Sequence, residues 1–155
     1  MSPDAVPRPC ACTSVRRVAR VLARAYDSAL SGSGLNITQL AVMRTVLRHP
    51  DEPLSRLADD LAMDRTSLYR ALALLQKNHW VALAAGGDER SRRASVTAEG
   101  RAVLARADVS WEAAQTAIVE RFGAEKWPSF VADLRRLAEC ATAPLPGPPA
   151  SGAGS

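Results

Sequence analysis

Three clusters of residues have the side chains and the spacing to do chemistry. Cys10-Ala11-Cys12 sets two thiols one residue apart, just ahead of Arg16, Arg17 and Arg20. Thiols near a helix N-terminus and near cations ionise more readily, and the thiolate is the form that reacts with oxidants and soft metals. Arg65, Thr66, Ser67, Tyr69, Arg70 and Lys77 make the second cluster, and no Asp or Glu occurs from Arg65 to Gly87. A cationic surface free of carboxylates suits a polyanion, because each basic group brought onto a phosphate releases condensed counterions. Arg90, Arg92 and Arg93 form the third, after the turn residues Gly86-Gly87-Asp88-Glu89. Each cluster also has a plain alternative: inert thiols, a solvated helix, and a loop whose arginines pair with Asp88 and Glu89.

The elements that must position these residues follow from composition and period. The chain has 155 residues, 47% of them hydrophobic, with 20 basic and 16 acidic side chains. That is enough for one domain with a real core, and it excludes a wholly disordered chain. Of the basic residues only Lys77 and Lys126 are lysine. Three cysteines, an odd number, do not make a secreted disulfide framework. No run of about twenty apolar residues exists to span a membrane. Met1 to Arg8 carries Pro and Asp where a secretory signal needs an apolar block. A cytoplasmic protein without a membrane partner is the expectation.

Between the ends the apolar period is helical. Val15, Val18, Leu22, Ala25 and Ala29 predict a first helix over 13–31, stopped by Ser31-Gly32-Ser33-Gly34. Thr38 is read as the cap of a second helix ending by Pro50, Ser55 as the cap of a third, and Asp64 as the cap of a fourth with Leu68, Leu72 and Leu75 inward. The segments 81–85 and 92–97 flank a turn-rich loop and predict a β-hairpin. Thr97 opens a helix of nearly 40 Å, too long to be covered by so small a domain alone, and a last helix carries Trp127, Phe130, Leu134 and Leu137. Residues 1–12 read as a flexible arm holding the cysteine pair, and 143–155 as a disordered tail of Ala, Pro, Leu, Gly and Ser, with Thr142 closing the folded part.

The fold class expected is mainly α with a small β-wing: a winged helix-turn-helix over 35–97 and helical dimerisation segments at 13–34 and 98–142. Leu54 to Leu61, the turn Ala62-Met63-Asp64 and the helix from Arg65 supply the helix-turn-helix, whose second helix can enter a DNA major groove. Arginines on a hairpin tip suit the narrow minor groove. With Asp88, Arg90 and Arg93 in an Asp-x-Arg-x-x-Arg pattern, followed by Thr97-Ala98-Glu99-Gly100, the sequence resembles the MarR (multiple-antibiotic-resistance regulator) family of transcriptional regulators. The helix pair from Leu57 to Leu68 matches as well. The resemblance implies a homodimer, held by the first and last two helices, that represses transcription from a palindromic operator in double-stranded DNA. It implies that Thr66, Ser67, Tyr69 and Arg70 face the major groove; the charge pattern adds Arg65, Lys77 and Arg92 as cationic contacts. Arg90 would reach the minor groove, and Asp88 and Arg93 would brace the wing. Half-sites about one helical turn, roughly 34 Å, apart suit such a dimer. One departure stands out: Leu75-Gln76-Lys77-Asn78-His79 occupies the place of the family's Leu-Glu-x-x-Gly, so His79 is expected at a left-handed helix end. His49, before Pro50, is read as another helix end.

Release from DNA has two candidate routes. Cys10 and Cys12, with Cys140 of the partner subunit, are candidates for oxidant sensing; a soft metal site and inert thiols are the alternatives, and three cysteines with no nearby His give an incomplete metal shell. The resemblance also implies a small aromatic acid as effector, for which Arg16, Arg20, Arg24, Tyr26 and Trp111 are candidates. A Trp in an apolar stripe also serves as core, and an Arg row as a solvated face. No metal, cofactor or catalytic residue is expected. The competing functions are a thiol enzyme using Cys10 and Cys12, which lacks a general base near them, and a dimeric winged-helix scaffold that no longer binds DNA.

Overall fold

Residues 9–50, 52–84 and 92–144 are described by the computed structural model. The element order is α1 (Ala11–Leu30), a 3₁₀ turn (Ser31–Ser33), α2 (Ile37–Arg48), α3 (Leu54–Asp60), α4 (Arg65–Lys77), β1 (Val81–Ala84), β2 (Arg93–Val96), α5 (Ala98–Phe122) and α6 (Trp127–Thr142). The chain divides into two compact units, Met1–Ala114 and Gln115–Ser155. No helix among the described residues is long and apolar enough to cross a membrane.

The first unit has one core, built where helix-period apolar residues meet the hairpin. Leu40, Val42, Met43 and Val46 of α2 are buried with Leu57 of α3, Leu68, Leu72 and Leu75 of α4, and Val103, Leu104 and Ala107 of α5. Val81 and Val96, which face each other in the antiparallel register β1–β2, join it. The expected inward stripe of α4 is thus buried, with Ala71 added.

Helix starts differ from the sequence expectation in three places. α1 begins at Ala11, because the Ser14 N–H donates to the Cys10 carbonyl (3.0 Å), so Cys12 lies inside the helix and Cys10 at its N-cap. α2 is capped by Asn36, not Thr38: Asn36 is extended, its side chain accepts from the Gln39 N–H (2.8 Å), and Gln39 accepts in return from the Asn36 N–H (3.0 Å). This reciprocal pair satisfies two of the otherwise orphaned helix N–H groups. α3 is preceded by Pro53, whose fixed φ of −62° sets up the first turn, and Ser55 lies within that turn. Asp64 caps α4 as expected.

Two left-handed residues bracket the helix pair. Ala62 (φ 48°) ends α3 and His79 (φ 61°) ends α4. In each case the next residue reaches back to close the helix: Met63 N–H donates to the Ala58 carbonyl and Trp80 N–H to the Leu75 carbonyl, both at 2.9 Å. With the bonds of shorter sequence span from the Ala62 N–H to the Asp59 carbonyl (3.0 Å) and from the His79 N–H to the Gln76 carbonyl (2.9 Å), both ends are complete Schellman motifs built on non-glycine residues. His49 ends α2, donating its N–H to the Thr45 carbonyl, and its ring lies 3.3 Å from Asp60.

Thr97 and Gly100 anchor the start of α5. The Thr97 hydroxyl donates to the His79 carbonyl (2.7 Å) and accepts from the Gly100 N–H (3.0 Å), while the Thr97 N–H donates to the Trp80 carbonyl (3.1 Å). A Cβ at Gly100 would sit 2.1 Å from that carbonyl oxygen, so no side chain fits there.

The second unit is thinner. α5 ends at Gly123 (φ 114°), a backbone angle that favours glycine. α6 follows with Pro128 in its first turn, where a missing N–H is harmless. Phe122, Trp127 and Phe130 pack on one another with ring centroids 4.8–6.1 Å apart. α6 has no buried residue.

Candidate nucleic-acid interface

α4 separates its faces sharply. Leu68, Ala71, Leu72 and Leu75 point into the core; Thr66, Arg70 and Lys77 are exposed on the side away from it, Ser67 on its flank, and Arg65 at the first position of the helix. Tyr69 differs from the expectation of an outward residue: it is half-buried and packs against the core. Ser67 is exposed but engaged. Its N–H and its hydroxyl donate to the two Asp64 carboxylate oxygens (2.8 and 2.7 Å), so its hydroxyl proton is already committed to the cap. The Ser67 hydroxyl, followed by its backbone N–H, holds the Asp64 carboxyl below the usual carboxylate range.

Arg92 stands exposed at the root of the hairpin, and its carbonyl accepts from the Leu54 N–H (3.2 Å). Arg93 opens β2 opposite Ala84 and forms an isolated bridge with Pro53. These two contacts tie the hairpin to the start of α3, so the cation at the wing root has a fixed place relative to the helix pair. Asp88 and Arg90 lie outside the described residues.

A second candidate site lies along α2. A cavity of about 520 Å³ is lined by Leu40, Arg44, Thr45, Arg48, Leu61 and Trp111, among others. The Arg44 guanidinium sits 4.0 Å over the Trp111 ring and 2.6 Å from Asp108, whose carboxylate accepts from two of its nitrogens. Tyr26, buried, stacks on the other side of the cluster with its ring 6.5 Å from that of Trp111, at 17°. Desolvation raises the Tyr26 phenol above its ordinary value. Of the five residues read as a pocket, the fold brings Tyr26 and Trp111 together. Arg16, Arg20 and Arg24 stand exposed on α1 and do not line this cavity. Arg44 and Arg48 take the cationic place instead; their i, i+4 spacing on α2 was the available signal.

The cysteines are all exposed and free of disulfides. The Thr13 backbone N–H, then its hydroxyl, lowers the Cys10 thiol from its ordinary value, although neither completes a cap hydrogen bond. Cys140 lies on α6. Among the described residues no group of three or more His, Cys, Asp or Glu converges to hold a metal ion.

No protein-family model matches the chain, and no curated protein does. Solved structures do. A Mycobacterium tuberculosis transcriptional regulator, MosR, in complex with DNA is 36% identical, with 87% of this chain and 98% of that chain covered and a TM-score of 0.79. Sco5413, a MarR family transcriptional regulator from Streptomyces coelicolor, is 22% identical over 84% of this chain and 92% of its own, with a TM-score of 0.73. The PcaV transcriptional regulator of Streptomyces coelicolor, in complex with its natural ligand, is 18% identical over 88% and 99%, with a TM-score of 0.71.

Proposed function

This chain belongs to the MarR family of winged-helix transcriptional regulators, and from that premise we propose that it binds double-stranded DNA as a homodimer and represses transcription at an inverted-repeat operator. The observation that carries the proposal is the α4 surface: Thr66, Arg70 and Lys77 exposed on one side of a helix with no carboxylate, and Arg65 at its first position. Phosphate contacts by Arg65, Lys77 and Arg92 hold the protein on the duplex, while Thr66 and Arg70 read base edges. Ser67, spent as a donor on Asp64, contributes its oxygen as an acceptor. Tyr69 contributes its outer edge, and Arg90 the minor-groove contact with Asp88 and Arg93 behind it. The DNA complex of MosR supports this reading. The protein works in the cytoplasm, where the operator is.

Dimerisation is supported by apolar residues left exposed on two helices, Val15, Val18 and Val21 on α1 and Leu134 and Leu137 on α6. Release by a small aromatic acid is supported by the cavity beside Trp111, where a ligand carboxylate has Arg44 and Arg48 to meet it. Oxidation is the second route, supported by the exposed Cys10 thiol and its lowered pKa. The thiol-enzyme alternative is disfavoured because both N-terminal thiols are open to solvent and, among the described residues, no group of three or more His, Cys, Asp or Glu includes them. The scaffold alternative is disfavoured by the absence of acidic residues on α4.

Footprinting on the intergenic DNA beside the protein's own gene, with and without oxidant, tests the proposal. Arg70→Ala should weaken operator binding by about 1–3 kcal/mol and relax sequence preference. Unaltered, selective binding after both Arg70→Ala and Arg90→Ala overturns the assignment of these residues.

A further inference from the structure

α4 carries one large apolar side chain that its core does not use. Leu68, Leu72 and Leu75 are 0–1% exposed, whereas Leu74 is 52% exposed. An exposed leucine by itself points to no ligand. Its place does. Leu74 lies four residues after Arg70 and eight after Thr66, so the three form one ridge along the helix, and Lys77 follows three residues later on the same side. Ala73, next to it, is also exposed and small enough to let a surface approach closely. The apolar step therefore sits between two cations on a face without carboxylates.

A polyanion drawn onto Arg70 and Lys77 by charge has little apolar matter to offer. Phosphates have none. In the major groove of unmodified DNA the apolar group on a base edge is the C5-methyl of thymine. We propose that Leu74 reads this methyl: its isobutyl group packs on a thymine of each half-site, so that the operator is selected for T against the third turn of α4. This inference rests on the DNA-binding reading above and adds a specificity-determining residue to it. It also gives the ridge a division of labour, with hydrogen bonding from Thr66 and Arg70 and methyl recognition from Leu74.

The test pairs a side-chain deletion with a methyl deletion. Once the operator is mapped, each thymine of a half-site is replaced singly by deoxyuridine, which lacks only the methyl, and binding is measured for the parent, Leu74→Ala and Leu74→Met. One position should weaken the parent about fourfold per half-site, the effect of losing one buried methyl-sized group, and about 15-fold when both half-sites are changed. Leu74→Ala should bind the thymine and deoxyuridine operators alike, and Leu74→Met should keep most of the parent's discrimination. Because Leu74 is exposed, the variants should unfold at the parent's temperature, which separates a lost contact from a lost fold. Full thymine discrimination by Leu74→Ala, or no sensitive thymine in the parent, overturns the inference while leaving DNA binding intact; a protein partner on this ridge would give that same result. Failure of the parent to select any duplex overturns both readings.

Discussion

α4 and α6 are helices of similar length, 13 and 16 residues, with opposite economies of surface. α4 buries four residues, is capped by Asp64 at one end and closed by a Schellman motif at the other. α6 buries none in the single chain, has no side-chain cap, and leaves Leu134 and Leu137 more than 40% exposed. Helices of this length draw most of their stability from packing an apolar face. α4 is therefore complete within one chain, whereas α6 leaves an apolar face exposed. The difference teaches that the exposed cations of α4 stand on a helix whose opposite face is packed into the core.

The largest effect should come from breaking that engagement. Leu72→Ala removes a fully buried side chain from α4 and should lower unfolding stability by about 2–5 kcal/mol in denaturant titrations, at every protein concentration. The double change Leu134→Ala and Leu137→Ala should instead lower the unfolding midpoint by an amount that shrinks on dilution, because it acts through association. Equal losses at high and low concentration would mean that α6 is stabilised within its own chain, and the contrast would fail.

Smaller effects test the ends of α4. The Asp64 carboxyl is held below its ordinary pKa, so its contribution is present above about pH 4 and is lost as the pH falls through the lower, folded-state value. Acid titration of stability should show that loss in the parent and not in Asp64→Asn, whose side chain still caps but does not titrate. At the other end, His79→Gly should raise stability by about 1 kcal/mol in thermal or denaturant melts by relieving a left-handed side-chain-bearing residue. Loss of stability in that variant would mean that the imidazole makes a contact worth more than the backbone strain.

What could be read from the residues alone was whatever repeats locally. Leu68, Leu72 and Leu75 announce the inward face of α4 by spacing, and Asp64 and His79 its two ends by chemistry. Caps were less legible where two polar residues competed. Thr38 and Asn36 both qualify by type, and the choice falls to Asn36 because its backbone is extended and Gln39 can reach back to it. Tyr69 looked outward by composition, but an amphipathic ring on the flank of a helix can lie partly on the core. The Arg44–Asp108 pair joins residues 64 positions apart, and no local period encodes which turn of α5 meets α2. Trp111 was legible as an aromatic of interest; that its cation would come from α2 and not from α1 depended on how those helices dock.

The Trp80 carbonyl has a mechanical consequence. It is gripped by the Thr97 N–H and pressed against the bare backbone of Gly100, while the Thr97 hydroxyl holds the neighbouring His79 carbonyl. The exit of α4, the entry to β1 and the first turn of α5 are thus welded at one point with no slack for a side chain. Any side chain added at residue 100 would have to part all three at once.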